Sequence, residues 1–230
     1  MASAEGFAGG RFTDWLRDGA EPHWSEACNH RFTRELAADT LDDAVFARYL
    51  IQDYAFLDAL VGLVGHAVGH APTMAEKTRL AGFLGVLTGG EDDFFKRSFA
   101  ALGIREAAWR ALRRHAATQG LAALFGEASE DGYDAVLSVL LPVEWIYLTW
   151  AEREAGKRPG RFYLSEWIAL HNDPGFAAFV GWMRDQLDRR GPAADAVRQS
   201  LLRDRFRRAA ALEVAFFDAA YPGAAPLGRR

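Results

Sequence analysis

The stretch LDDAVFARYLIQDYAFLDALVGLVGHAVGHA, residues 41–71, decides the fold class of this sequence. Large apolar and aromatic side chains recur in it at steps of three or four residues, at Phe46, Tyr49, Leu50, Tyr54, Leu57 and Val61. That spacing places them on one face of an α-helix. Asp42 and Asp43 stand where the first turn would be, and the helix dipole favours acidic side chains there. The stretch therefore predicts one long amphipathic helix.

Helical spacing continues along the rest of the chain, between local breaks marked by glycine and proline. The alternation typical of strands is nearly absent. The pattern predicts helices at about 10–28, 31–38, 42–69, 73–88, 91–101, 105–124, 130–155, 162–171, 173–189 and 193–220. No linker or change of composition divides the sequence, so we expect residues 1–230 to form a single domain, an all-α bundle.

The composition suits one large globular domain, since 50% of the 230 residues are hydrophobic and 25% are charged. A net charge of −4 and a pI near 5.9 give no basic signature, so we expect no nucleic-acid partner. The single cysteine, Cys28, excludes an internal disulfide and a multi-cysteine zinc site. The N-terminal segment MASAEGFAGGRF lacks a signal-peptide pattern, and no uninterrupted apolar stretch is long enough to span a membrane. These features predict a soluble, cytoplasmic protein without a membrane partner.

Three predicted helices each carry a carboxylate in an apolar context: Asp53 in YLIQDYAFL, Glu144 in LLPVEWIY and Glu213 in RAAALEVAFFDAAY. Acidic side chains are rarely buried without a partner. Glu144 also follows Pro142, and a proline inside a helix removes a hydrogen bond at a cost of about 3 kcal/mol. Both features are unfavourable in a core helix, which favours a functional reason for them.

Each of these acids shares a helix face with an aromatic ring three or four positions further on. The pairs are Asp53 with Phe56, Glu144 with Tyr147, and Glu213 with Phe216 and Phe217. If the three faces converge, they form an aromatic pocket that suits a flat, nitrogen-rich heterocycle. Carboxylates held there would have the perturbed proton affinity that acid–base catalysis needs. The structural alternative is that each acid pairs with a buried group, for which Arg48, Arg79 and Arg207 are candidates.

Four segments resemble, in order, the pattern of the TenA/thiaminase II family. They are NHRFTRELAADTLDDAVFARYLIQDYAFL (29–57), LLPVEWIY (140–147), FYLSEWIALHNDPGF (162–176) and ALEVAFFDAAY (211–221). The resemblance as a whole extends over about residues 12–221, nearly the whole chain. The resemblance implies an all-helical, haem-oxygenase-like fold and the hydrolysis of aminopyrimidines in thiamin salvage, with no cofactor and no metal. It also implies a homodimer or a homotetramer.

The resemblance assigns roles to three residues. Asp53 corresponds to the family's pyrimidine-anchoring aspartate, and Tyr147 to the tyrosine on its cysteine helix. Glu213 corresponds to the glutamate near the C-terminus that shuttles protons. With Asp53 holding the ring nitrogen and exocyclic amine of a 4-aminopyrimidine, Tyr147 and His171 would supply directional donors.

Three departures from the family pattern change the expected chemistry. Val143 stands at the position of the nucleophilic cysteine, Phe56 stands where tyrosine is common, and His171 aligns with a further tyrosine. The sequence is similar to the cysteine-lacking class of the family, in which a glutamate takes over catalysis, and Glu144 is the natural candidate. Water would then attack directly, with Glu144 or Glu213 as base and the other protonating the leaving amine. Aminomethyl or formylaminomethyl pyrimidines are the implied substrates, and thiamin is less expected.

Two other functions stay open on the same fold. The chain is a non-catalytic pyrimidine- or thiamin-related binding protein if activity was lost with the cysteine. It is a metal-dependent oxidase if the fold carries paired Glu and His ligands, which the sequence does not show. His66 and His70 form an HxxxH pair, but a small-residue helix end with partly exposed histidines explains them better.

Overall fold

The computed structural model describes residues 7–223. Within that range the chain forms twelve α-helices and no strand, so the predicted all-α class is confirmed. The helices are α1 (Phe12–Asp18), α2 (His23–Cys28), α3 (Arg31–Ala37), α4 (Asp43–His70), α5 (Met74–Val86), α6 (Asp92–Ala101), α7 (Glu106–Arg110), α8 (Ala116–Glu130), α9 (Tyr133–Arg153), α10 (Phe162–His171), α11 (Pro174–Arg190) and α12 (Ala196–Ala219). A π-helical turn, Leu87–Glu91, joins α5 to α6, and a 3₁₀ turn, Gly191–Ala193, follows α11. Residues 1–6 and 224–230 of the predicted domain lie outside the described part.

The long helix predicted from residues 41–71 is α4. The Asp42 side chain caps it by accepting a hydrogen bond from the amide of Ala44, and Asp43 lies in its first turn. One face of α4 is buried, and it includes the polar residues Gln52 and Asp53. The helix packs against α5, α8 and α9, so its buried face reaches the centre of the bundle.

Helix α9 is the centre of the core. Every residue from Ala135 to Leu148 is buried, and the helix packs against α12, α11, α8 and α4. In the described chain it is the one helix long and apolar enough to cross a membrane by length and composition, but 89% of its apolar window is buried inside the fold. Pro142 lies within it, and the helix is continuous through that position. Glu144 is thereby held in the middle of the protein.

Tertiary contacts divide two of the predicted helices. The range 10–28 is two helices, α1 and α2, because the chain turns at Gly19 and continues through a cis peptide bond before Pro22. The range 105–124 is also two helices, α7 and α8. Between them, the buried Gln52 side chain donates to the carbonyl of Arg113 and accepts from the amide of His115. A side chain from another helix therefore holds this backbone outside the helical pattern.

Close packing between α1 and the end of α11 gives a test of the fold. A Cβ at Gly191 would lie 2.2 Å from a ring carbon of Phe12, whose side chain is fully buried. We expect Gly191→Ala to lower the free energy of unfolding by about 1–3 kcal/mol, since a filled core resists an added methyl group.

The matched control is Gly85→Ala. Gly85 lies in α5 with no atom within 4 Å of its would-be Cβ. Alanine there should stabilise the protein by up to about 1 kcal/mol, because alanine is the better helix former. Urea unfolding of both variants measures the two effects, and a Gly191→Ala protein as stable as Gly85→Ala would contradict the packing.

Candidate active site

An inner pocket lies between α4, α9, α10 and the π-turn. It is lined by Asp53, Phe56, Leu60, Leu87, Glu91, Val143, Glu144, Tyr147, Trp167 and His171. Six of the seven residues predicted from the sequence are among these, and Glu213 is the exception. The pocket is narrow, with a volume of about 20 Å³, which is room for about one water molecule.

Asp53, Glu144 and Glu213 are all buried, and they come from three different helices. Glu213 is the deepest, with 1% of its surface exposed, and its charge acts on both other acids. Oδ2 of Asp53 and Oε1 of Glu213 have no hydrogen-bond partner within the described residues. Buried polar atoms are nearly always paired, so an unpaired carboxyl oxygen facing a pocket suits a ligand that brings its own donors.

The predicted arginine partners bind elsewhere. Arg48 donates to the carbonyl of Ala220, and Arg207 pairs with Asp204. Arg79 lines a larger cavity that Glu144 also borders, but it forms no ion pair with Glu144. Within residues 7–223 no arginine or lysine forms an ion pair with any of the three acids, so the explanation of these acids as members of buried ion pairs is wrong.

Burial in this apolar setting makes the acids hold their protons. Loss of solvation raises the pKa of Asp53 and of Glu144 well above the ordinary carboxyl range. The negative charge of Glu91 acts in the same direction on both, and the Tyr49 hydroxyl partly opposes it at Asp53. Burial also raises the pKa of Glu213 to about 8. Several neutral carboxylic acids can therefore coexist in one core at neutral pH.

Aromatic side chains orient the polar groups. The hydroxyls of Tyr49 and Tyr147 lie 2.6 Å apart in a buried hydrogen bond. Tyr147 also contacts the ring of His171, with centroids 4.8 Å apart. Sequence reasoning placed Tyr49 only on the apolar face of α4, because the period of a helix does not show which hydroxyl will meet another.

His171 is neutral in this pocket. Burial lowers the pKa of its imidazole to about 4. Its Nδ1 lies 2.9 Å from the carbonyl oxygen of Trp167, which can only accept a hydrogen bond, so Nδ1 carries the proton. Nε2 is then the unprotonated nitrogen and acts as an acceptor, so His171 does not supply the donor that the sequence led us to expect.

Glu91 is a pocket residue that the sequence pattern did not reveal. The segment EDDFF, residues 91–95, has the pattern of an acidic first helical turn, and Asp92 and Asp93 do lie in the first turn of α6. Glu91 itself ends the π-turn, and it lines the inner pocket beside Glu144. Burial raises the pKa of Glu91 to about 8. The available signal was the weak helix-forming pair Gly89–Gly90 directly before it, since π-turns are frequent at functional sites.

A larger outer chamber of about 560 Å³ adjoins the inner pocket. The two share Glu91, Glu144 and His171. The other residues that line the chamber are Ala75, Thr78, Arg79, Gly82, Phe83, Val86, Leu170, Asp173, Gly175, Phe176 and Phe179. Most of these side chains are apolar, and three of them are phenylalanines.

Other candidate groups lie outside this site. Cys28 is buried beside α9, and burial raises the pKa of its thiol to about 12, so it is not a ready nucleophile. His66 and His70 stack with ring centroids 6.4 Å apart on an exposed part of α4. In the described part of the chain, no three His, Cys, Asp or Glu side chains are grouped so that they could hold a metal ion.

The chain is similar in sequence to proteins of one known family. Residues 17–223 match the model of the TENA/THI-4/PQQC family. The aminopyrimidine aminohydrolase of Halalkalibacterium halodurans is 23% identical over 215 residues, which cover 91% of this chain and 95% of that protein. A hydroxymethylpyrimidine/phosphomethylpyrimidine kinase of Saccharomyces cerevisiae is 22% identical over 81% of this chain, which corresponds to 34% of that longer protein.

Solved structures show the same fold. A TenA family transcription regulator from Silicibacter has a TM-score of 0.81 at 28% identity, covering 93% of this chain and 98% of that one. A TenA homologue from Pyrococcus furiosus has a TM-score of 0.81 at 18% identity, covering 91% of this chain and 100% of that one. The predicted haem-oxygenase-like fold is confirmed.

The raised pKa of Glu213 predicts how stability depends on pH. The unfolded chain releases this proton above about pH 4.5, whereas the folded protein holds it up to about pH 8. Wild-type stability should therefore fall as pH rises through this window, by up to about 1.4 kcal/mol per pH unit from this group. Glu213→Gln removes that dependence, so the stability of the variant relative to wild type should increase as pH rises.

Urea unfolding at about pH 5 and about pH 7.5 measures the effect. Glu152→Gln is the control, because Glu152 is exposed on α9, and it should keep the wild-type slope. A Glu213→Gln protein with the same slope as wild type would show that Glu213 is ionised in the core.

Proposed function

Because the chain belongs to the TENA/THI-4/PQQC family, we propose that it is an aminopyrimidine hydrolase of thiamin salvage that works without a cysteine nucleophile. The observation that carries the proposal is that Asp53 and Glu144 line the same aromatic pocket. Neither forms an ion pair with an arginine or lysine among the described residues. Val143 lies in the same pocket at the position of the family's cysteine. The proposed enzyme therefore belongs to the cysteine-lacking, glutamate class.

Asp53 is suited to recognise a 4-aminopyrimidine. With its pKa raised well above the ordinary range, its carboxyl is a neutral acid with one donor and one acceptor oxygen. A 4-aminopyrimidine presents the complementary pair, a ring nitrogen that accepts and an exocyclic amine that donates. Phe56, Tyr147 and His171 line the same pocket and provide the flat walls that a pyrimidine ring requires.

The reaction proposed here is direct attack of water. Valine offers no nucleophile, so no covalent adduct forms through position 143. A carboxylate takes the proton from water, and a second carboxyl protonates the leaving nitrogen. Glu144 is the candidate base because it lines the pocket, and Glu213 is the further acid that the family resemblance suggests. Mutual repulsion keeps at least one of these groups protonated near neutral pH.

Substrate binding must widen the inner pocket. A volume of about 20 Å³ does not admit a pyrimidine ring, while the adjoining chamber of about 560 Å³ does. We therefore expect side chains at the boundary to move apart on binding. Glu91 is the candidate, since it lines both compartments and ends the π-turn directly after the exposed Gly89 and Gly90.

A non-catalytic pyrimidine-binding protein is the second candidate function. The observation in its favour is Val143 itself, because the family's nucleophile is missing. For either function we propose a cytoplasmic homodimer or homotetramer, on the basis of the family resemblance and the composition.

Turnover of 4-amino-5-aminomethyl-2-methylpyrimidine and its N-formyl derivative tests the proposal. Ammonia and formate release report the two reactions, and thiamin is a third substrate for which we expect little turnover. Glu144→Gln should lower kcat by about 10²–10⁴-fold, as removal of a general base does. Asp53→Asn should raise the dissociation constant of the pyrimidine.

Glu152→Gln, on the exposed face of the same helix, should behave as wild type. A wild-type protein that binds the pyrimidine but releases neither product would establish the binding protein instead. Full activity in Glu144→Gln would refute the assigned base.

A further inference from the structure

Three polar residues line both the inner pocket and the outer chamber. Glu91 comes from the π-turn, Glu144 from α9 and His171 from α10. A molecule that extends from one compartment into the other must pass between them. Glu213 lines neither compartment, and only 1% of its surface is exposed.

We propose that Glu91 is the catalytic acid that protonates the leaving nitrogen, and that the leaving group departs into the outer chamber. This inference rests on the proposed function. Glu213, which the family resemblance suggests as the proton shuttle, then acts on Asp53 and Glu144 only through its charge. The implied substrates are aminopyrimidines whose leaving nitrogen carries an apolar or aromatic substituent.

The direction of departure follows from the two compartments. Asp53 lines only the inner one, so a pyrimidine ring held by Asp53 lies on that side. The exocyclic bond to the leaving nitrogen then points to the junction between the two compartments, where Glu91, Glu144 and His171 lie. The substituent on that nitrogen reaches the chamber. The chamber offers Phe83, Phe176 and Phe179, whose apolar walls favour a ring or short hydrocarbon over a lone ammonia molecule.

The proton must come from a group at the junction that carries one. His171 uses its proton on the Trp167 carbonyl, so its other nitrogen accepts only. Glu91 and Glu144 repel each other when both are charged, so one of them keeps its proton while the other acts as the base, and the proposed function gives the role of base to Glu144. Glu91 remains, and its raised pKa, about 8 because of burial, keeps it protonated at neutral pH.

The proposed step is a displacement at the methylene carbon that joins the pyrimidine ring to the leaving nitrogen. A water oxygen forms a bond to the methylene carbon, and one water proton passes to the Glu144 carboxylate. The bond between that carbon and the nitrogen breaks, and the nitrogen takes its electron pair together with the proton of Glu91. The products are the hydroxymethyl pyrimidine and a neutral amine. A proton transfer from Glu144 to Glu91, directly or through water, restores the starting state.

A matched pair of leaving groups separates this role from a structural one. The two substrates are 4-amino-2-methylpyrimidines that carry either anilinomethyl or pyridiniomethyl at position 5. Both leaving groups are aromatic rings of one size, but aniline needs a proton to depart and pyridine does not. Glu91→Gln should lower kcat/KM for the anilino compound by about 10²-fold or more and change that for the pyridinium compound less than about threefold. Glu144→Gln should slow both, because both need activated water.

Two further variants fix the interpretation. Asp93→Asn changes a neighbouring exposed acid on α6 and should leave both substrates unaffected. Gly82→Leu adds a side chain at a chamber residue that has open space around it, and Gly85→Leu is its control on the same helix, outside the chamber lining. Gly82→Leu should raise KM for both aromatic substrates more than for the aminomethyl compound, whereas Gly85→Leu should show no such difference.

The outcomes are distinct. Equal losses on both substrates in Glu91→Gln, or no loss on either, would overturn the role of Glu91 while the proposed function stands. Failure of the wild type to use the anilino compound, alongside turnover of the aminomethyl compound, would overturn the leaving-group chamber. No wild-type turnover of any pyrimidine would refute the proposed function itself. If Glu91→Gln fails to fold, Glu91→Asp, which keeps the acid but withdraws it from the junction, should show the same dependence on the leaving group.

Discussion

The burial of several carboxyl groups in one helical core, without a basic partner in the described chain, is the constraint on which this structure depends. An ionised carboxylate in such a setting is costly, and the folded protein meets the cost by keeping protons on the acids. Asp53, Glu91, Glu144 and Glu213 all show pKa values raised by loss of solvation. A core built only for stability would replace them with apolar side chains, so the proposed chemistry is the physical reason to retain them.

The helices and one turn hold these carboxyl groups in position. Helix α9 is buried over two-thirds of its length, and it holds Glu144 in the buried part of the protein. Helix α4 brings Asp53 to the same pocket, and the buried Gln52 next to it holds the loop before α8 in place. The π-turn has the opposite character, since it is short, rich in glycine and partly exposed, and it delivers Glu91 to the pocket rim. Rigid helices thus position two acids, while a turn that differs from α-helical geometry positions a third.

The sequence was a good guide to the fold and to the acids that lie inside regular helices. Asp53 and Glu144 stand out because helical periodicity shows that their neighbours are buried. The same reasoning could not identify Glu91 as a pocket residue, because the direction of its side chain depends on a π-turn. Such a turn changes the angular step between successive residues. The breaks at Pro22 and near Arg113 were missed for a related reason. A contact from Gln52, which lies in another helix, decides the second of them, and that contact is not a property of the local pattern.

The central claim is that Asp53 and Glu91 are protonated at neutral pH and that a pyrimidine binds to Asp53 in that form. Infrared spectroscopy of the protonated carboxyl stretch tests it directly, with Asp53→Asn and Glu91→Gln to assign the bands. The account predicts protonated carboxyl bands at about pH 7 that weaken as pH rises past about 8, and a shift of the Asp53 band when 4-amino-5-hydroxymethyl-2-methylpyrimidine binds. A spectrum at neutral pH with no protonated carboxyl band would contradict it.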